Sequence, residues 1–463
     1  MATHEPSSTT TSPHQPDRLP ARTIAGYASG SLGTGGFGTL PGLVLVYYLT
    51  DHLGVTALLA GLIVTGAKLW DVVIDPVLGR LSDRARARTG SRRRLMLLGA
   101  VTLPLFFIAT FMVPLEIGPG AGAVWVLVAF MATATAFSAF QVPYIALPAE
   151  LTSRYDERTR LLTWRVVVLT IAILLFGAGG PILRGLGSDA SSGYLLMAVV
   201  AGLVIAGGLL PSVFVAPRSA TGVVAVSAPA ATSYREAWLV LRESQAFRAL
   251  LGTFVLQGLA TGLMLAGAQY VATWVLQSED AVTFLFVALI APALLLTPLW
   301  GAAARRWGKQ PVYLVASTVF AVAALTILGL LWAPGPWVYL PVALAGAAYA
   351  GMQALPLAML PDVMARDGRD RAGVMSGVWT AGETSGMALG ATVLTLVLAA
   401  TGYVASVGDQ VVAQPGSAIV GIIVAFSVVP AALLVLSILL LRRYRLRRDD
   451  VDALLAPSAG ATP

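Results

Sequence analysis

The chain has no cysteine, no asparagine and only three histidines, and just 11% of its 463 residues are charged. Without cysteine there is no disulfide and no thiolate metal site, and the redox compartment cannot be read from cysteine usage. His4 and His14 fall in an amino-terminal stretch rich in Ser, Thr and Pro, and His52 falls at the edge of an apolar block. The apolar body of the chain therefore offers no imidazole base and no histidine metal cluster, which argues against zinc hydrolysis and nucleophile–histidine catalysis. Residues 1–23 lack a basic segment followed by a short apolar core and a small-residue cleavage site, so they read as a cytoplasmic tail rather than a signal peptide.

What remains is strongly apolar: 57% of residues are hydrophobic and the mean hydropathy is +0.79, too little polar surface to cover a soluble globule of this length. The apolar residues fall into blocks long enough to cross about 30 Å of hydrocarbon at about 1.5 Å per residue. They run at 24–49, 56–81, 95–115, 123–149, 161–183 and 193–216, then at 249–276, 281–303, 311–333, 337–361, 373–401 and 415–441.

A net charge of +7 could suggest nucleic acid, but the basic residues sit in short connectors rather than on one amphipathic face. Arg84, Arg86, Arg88, Arg92, Arg93 and Arg94 follow the second block, and Arg154, Arg158 and Arg160 follow the fourth. Arg305, Arg306 and Lys309 follow the eighth, and Arg366, Arg369 and Arg371 the tenth. The opposite connectors carry Asp51, Glu116, Glu279, Asp280 and Asp409, with Arg184 as the exception. This asymmetry predicts a multi-pass protein of the cell membrane with both termini cytoplasmic. The expected partners are the lipid bilayer and a small-molecule substrate, with no nucleic acid and a functional monomer.

The two halves echo each other. Gln141, Pro143, Leu147, Pro148 and Glu150 recur as Gln353, Pro356, Leu360, Pro361 and Asp362, and Pro76 and Gly79 recur as Pro298 and Gly301. The expected fold is an all-α membrane protein with twelve transmembrane helices in two six-helix pseudo-repeat bundles, residues 24–216 and 249–441. A cytoplasmic linker at 217–248 joins the bundles and a basic tail at 442–463 follows them.

The second block carries the most informative constellation. Lys68, Asp71 and Asp75 lie three and four residues apart, on one helical stripe, with Asp71 near mid-bilayer. An isolated charge at that depth costs at least about 2.5–3.5 kcal/mol, so it asks for a partner or a wet cavity. Two neighbouring carboxylates repel when both are ionised and so favour holding a proton or small cation, as a coupling site requires. Arg165 in the fifth block and Glu383 in the eleventh have no opposite charge within four residues of their own segment. By charge alone Arg165 is expected against the carboxylates of the second block, with Lys68 and Glu383 completing a charge and gating network. Aromatics at similar depth, Tyr144, Trp164 and Trp379 among them, are candidates to face a substrate. Gly33, Gly35 and Gly38 match G-x-G-x-x-G, but no strand precedes them and they lie inside an apolar helix, so they serve packing rather than a dinucleotide. Gly386 and Gly390 form a G-x-x-x-G packing step.

Tyr47-Tyr48-Leu49-Thr50-Asp51-His52-Leu53-Gly54, Trp70-Asp71 with Asp75-Pro76 and Gly79, the Arg86–Arg93 loop, Pro143-Tyr144 and Gly402-Tyr403 resemble the glycoside-pentoside-hexuronide:cation symporters, the melibiose-carrier family of the major facilitator superfamily. That resemblance implies the major facilitator fold, a coupling ion, H⁺ or Na⁺, at Asp71 and Asp75, and a place for Arg165 and Lys68 in the central charge network. It implies no cofactor, no enzyme activity and no metal beyond Na⁺ at those aspartates.

The departures are informative. Sugar-binding members have an acid where Gly35 stands, an acid near Phe140 or Gln141, and a lysine near Glu383, while the asparagine that assists Na⁺ in some relatives is Ile74 here. The expectation is a proton-coupled carrier of a small organic solute such as a glycoside, with Gly35, Gln141, Tyr144, Trp164 and Trp379 along the substrate cavity. The alternative is export of a drug-like metabolite or movement of an amphiphile such as a lysolipid.

Overall fold

A computed structural model describes residues 18–152, 154–217, 234–367, 372–410, 412–444 and 446. Most of the expected tails, the first part of the linker, and Arg369 and Arg371 of one basic loop lie outside these residues. Twelve helices are long and apolar enough to cross a membrane. Spans 1 to 6 are Ala21–His52, Ala57–Thr89, Arg93–Thr110, Leu115–Pro148, Asp156–Gly185 and Ala190–Val215. Spans 7 to 12 are Gln245–Val275, Ala281–Trp307, Lys309–Leu331, Pro336–Arg366, Val374–Ala400 and Gly416–Leu441. Helices are the form such segments take because lipid offers no partner for backbone N–H and C=O groups. The Arg-rich ends are called inner and the opposite ends outer.

Two bundles with the same internal pairing result. Span 1 packs on spans 5 and 6, span 3 on spans 4 and 6, and span 2 on span 4; the second six repeat this, with span 7 on 11 and 12, span 9 on 10 and 12, and span 8 on 10. Between the lobes, span 2 meets span 11, span 5 meets span 8 and span 1 meets span 7. The repeat read in the sequence is also a repeat of contacts. Glu150, ending the helix of span 4, takes Arg86 Nε at 3.3 Å and Arg92 Nε at 3.1 Å from the connector before span 3. Asp362, its counterpart in span 10, takes Lys309 Nζ at 2.6 Å from the start of span 9.

Local chemistry sets the ends and breaks. Gly90 closes the helix of span 2 in the left-handed region at φ 69°, its N–H returning to the Arg86 carbonyl. Span 12 is interrupted at Ser427, between Gly416–Phe426 and Val428–Leu441. Pro430 explains the break: it has no N–H to give the Phe426 carbonyl and its ring crowds that oxygen. Inside the second lobe the Gln257 carboxamide donates to Ser317 Oγ at 2.9 Å and Ser437 Oγ at 3.2 Å, and accepts from Tyr313 at 2.8 Å. That satisfied polar knot fixes spans 7, 9 and 12 where lipid supplies no hydrophobic drive between helices. The G-x-x-x-G step does the close packing expected of it: a β-carbon on Gly386 would lie 2.8 Å from the Val255 carbonyl, and one on Gly390 2.3 Å from the Leu263 nitrogen.

Candidate functional site

Span 2 holds the carboxylate pair near its middle. Lys68 Nζ lies 3.4 Å from Asp71 Oδ2 and 6.0 Å from the centre of the Phe37 ring in span 1. Asp71 is buried, and its second oxygen has no hydrogen-bond partner. Asp75, one turn nearer the inner end, is exposed and faces the Ser138 hydroxyl of span 4. The pair thus combines one carboxylate already matched by an ammonium with one open to exchange.

Arg165 does not join this trio. Its guanidinium carbon stands 5.4 Å over the Tyr144 ring, which itself stacks on Tyr27 at 4.8 Å. The expected pairing with the span 2 carboxylates gives way to a cation–π contact, because span 4 places an aromatic face nearer than span 2 places its anions. Glu383, half-buried in span 11, lies beside Tyr349 of span 10, and no cation reaches it among the described residues.

Three residues expected along the substrate cavity are packed away instead. A β-carbon on Gly35 would fall 2.8 Å from Ala172 Cβ and 3.1 Å from Leu169 Cδ1, so the glycine serves the crossing of spans 1 and 5. Tyr144 is fully buried between Tyr27 and Phe140, and its hydroxyl donates to the Tyr27 carbonyl at 2.8 Å. Trp379 is 3% exposed and stacks on Phe254 of span 7 at 4.6 Å. Depth and residue type were readable in the sequence; the face of the helix was not. Gln141 is half-buried with its carbonyl oxygen unpartnered, and Trp164 is 50% exposed, so these two keep side chains with contacts to spare.

Sequence reasoning missed a second cluster, at the outer end. Asp51, counted only as an outer connector acid, is 7% exposed at the seam between the lobes. Its carboxylate accepts from the Tyr403 hydroxyl at 2.5 Å and from Thr50 Oγ1 at 2.5 Å, and Thr50 lies 2.6 Å from the Tyr270 hydroxyl of span 7. Burial first, and then the charge of Asp51, push the Tyr403 phenol well above its ordinary range, so it stays a donor. Ser406 N–H donates to the Thr50 carbonyl at 3.0 Å and Gly408 N–H to the His52 carbonyl at 2.9 Å.

Arg184, the exception in the outer connectors, is explained here. It is buried over the rings of Tyr47 and Tyr194, at 5.7 and 5.6 Å, and pairs across the lobes with Glu279 at 3.0 Å. A cavity of about 620 Å³ lies among these groups, lined from both lobes by Asp51, Arg184, Tyr194, Trp274, Gln277 and Asp409. The signal for this cluster was in the sequence, in Thr50-Asp51 and Gly402-Tyr403, but nothing there said that the two segments meet.

Deeper, Thr65 and Thr392 hydroxyls meet across spans 2 and 11, and Thr283 Oγ1 reaches the Ala178 carbonyl across spans 8 and 5 at 3.5 Å. Each of these lobe-crossing bonds lies in the outer half. The arrangement brings a closed outer seam together with intramembrane charges on the inner side of it.

Known proteins match this architecture along its length. The family described as MFS/sugar transport protein matches residues 26–448. The chain is 25% identical to an uncharacterized symporter, sll1374, of Synechocystis, over 93% of this chain and 95% of that one. It is 25% identical to a glucuronide carrier protein homolog of Escherichia coli, over 93% of each chain. The crystal structure of a D-xylose-proton symporter superposes with a TM-score of 0.66 at 15% identity, covering 92% of this chain and 97% of that one. The chain therefore belongs to the MFS/sugar transport family, a membrane transporter of the major facilitator fold and not an enzyme.

Proposed function

We propose that this transporter is a cation-coupled symporter of a small organic solute, working by alternating access, with Asp71 and Asp75 loading the ion and protons preferred to sodium. The observation that carries the reading is the pair itself: a buried aspartate held by Lys68 and, one turn away, an exposed aspartate with no basic partner at ion-pair distance among the described residues. The names of the Synechocystis and Escherichia coli relatives, a symporter and a glucuronide carrier homolog, support the class.

Lys68 favours the proton. Its ammonium, 3.4 Å from Asp71, puts a positive charge where a bound sodium would need that oxygen, and the chain has no asparagine amide to complete a sodium shell. A proton needs only one carboxylate oxygen. The lobe-crossing bonds of the outer half fit a state closed outside and reachable from inside, with the termini in the cytoplasm and one chain sufficient for the cycle.

The test is uptake in proteoliposomes loaded with a pH-sensitive dye, with and without an imposed pH gradient, across a panel of glycosides and organic acids. An accepted solute carries protons with it, and Asp75→Asn abolishes gradient-driven accumulation while leaving exchange without a gradient. Accumulation unchanged in Asp75→Asn overturns the coupling role.

A further inference from the structure

Taken one by one, the charges within the spans leave two over. Lys68 and Asp71 neutralise each other at 3.4 Å, and Arg184 meets Glu279 at 3.0 Å at the outer end. Asp51 is held by the hydroxyls of Thr50 and Tyr403. Asp75 stands at the position given to the coupling ion. Arg165 and Glu383 remain, one of each sign, with no oppositely charged side chain paired to either among the described residues.

Their placement is matched. Span 5 packs on span 1 in the first lobe as span 11 packs on span 7 in the second. The helix carrying Arg165 begins at Tyr155 and that carrying Glu383 at Ala372, both at the inner end. Arg165 and Glu383 lie about ten and eleven residues along, so both sit roughly 15 Å deep. Each is half-buried and each leans on a tyrosine of the neighbouring span, Tyr144 of span 4 and Tyr349 of span 10. A cation on one lobe and an anion at equal depth on the other, both removed from bulk water, are incomplete without a counter-ion from outside the chain.

We propose that Arg165 and Glu383 select a zwitterionic solute, its anionic group bound by the guanidinium of the first lobe and its cationic group by the carboxylate of the second. The proposal rests on the reading of the chain as a carrier with a site between its lobes and names that site's substrate class. Arginine presents two parallel N–H donors suited to a carboxylate or phosphate, and Glu383 with the Tyr349 ring suits an ammonium. Such a solute touches both lobes at once, so its presence draws their inner halves together. A neutral glycoside would leave both charges unmatched, in keeping with the absence of carboxylate acceptors at Gly35 and Gln141.

Equilibrium binding to the purified full-length protein tests this without any gradient, so it stands or falls apart from the coupling role of Asp75. Tryptophan fluorescence and thermal shift are read with two zwitterions, glycerophosphocholine and carnitine, and with glycerol 3-phosphate, choline and methyl glucoside as anionic, cationic and neutral comparators. At least one zwitterion is expected to bind tenfold or more tightly than every comparator. Glu383→Gln brings its affinity down to that of glycerol 3-phosphate, and Arg165→Gln down to that of choline. The charge-exchanged double variant, Arg165→Glu with Glu383→Arg, recovers zwitterion binding that either single exchange loses, which separates recognition from misfolding. Silence of both zwitterions, preference for the glycoside, or indifference to Glu383→Gln overturns the proposal.

Discussion

The outer and inner halves of this transporter treat polar groups in opposite ways. At the outer end each lobe completes the other: Asp51 receives Tyr403, Thr50 meets Tyr270, and Arg184 finds Glu279. Toward the inner side the polar clusters close within a lobe, as Glu150 does with Arg86 and Arg92 and Asp362 with Lys309. Bonds within a lobe survive when lobes rock; bonds between lobes must break. The comparison therefore separates what holds each lobe rigid from what must be made and unmade in every cycle.

The largest expected perturbation of that contrast is Gly61→Leu. A β-carbon there would lie 2.0 Å from Thr395 Oγ1, so spans 2 and 11 could not approach as they do. Overpacking of this kind costs about 1–3 kcal/mol, which is roughly 5- to 150-fold against the closed outer seam. Because the chain has no cysteine, a single Gln277→Cys reports on the outer cavity with no background. Labelling of that cysteine by a membrane-impermeant maleimide should accelerate accordingly; an unchanged rate would mean that the seam does not depend on this contact.

Next in size is the Asp51–Tyr403 bond. Removing one partner of a buried hydrogen bond to a charged group costs about 1–3 kcal/mol, so Tyr403→Phe should raise labelling at position 277 roughly tenfold. Asp51→Asn in the same background should add less than it does alone, since both changes remove one bond. Full additivity would show that the two side chains act separately. The smallest effect belongs to Glu279→Gln. Its carboxylate is 64% exposed, so the pair with Arg184 contributes under about 1 kcal/mol, and any change in labelling should shrink further at high salt.

The sequence displayed its periodicities and little of its tertiary contacts. The number of spans, their alternating loop charge and the internal repeat all follow from patterns that lipid imposes on a chain, and each is present in the fold. Lys68 and Asp71 share a helix turn, so their contact was legible. Arg165 over Tyr144 was not, because which aromatic lies nearest depends on the crossing of spans 4 and 5. Gly35 shows the same limit from the other side. Read as a vacated acid position in a cavity, it is a place where two helices touch and no side chain fits. The Asp51 cluster joins positions some 350 residues apart in the chain, and no local pattern marks such a meeting.

Spans 1 and 7 end in the same irregularity. Tyr48–His52 and Val271–Val275 form π turns, with Leu53 N–H bonded to the Tyr48 carbonyl and Leu276 N–H to that of Val271. Beyond them Val55 returns to Leu49 and Ser278 to Ala272, so the two copies agree bond for bond. A π turn is an α-helix carrying one extra residue. Finding the same insertion at matching places in both lobes points to its presence in the six-helix ancestor before the gene doubled. It also sets a rule for engineering: deleting one residue from either turn would rotate everything outward of it by about 100°, swinging Thr50 and Asp51 away from their partners where a point substitution would only remove a group.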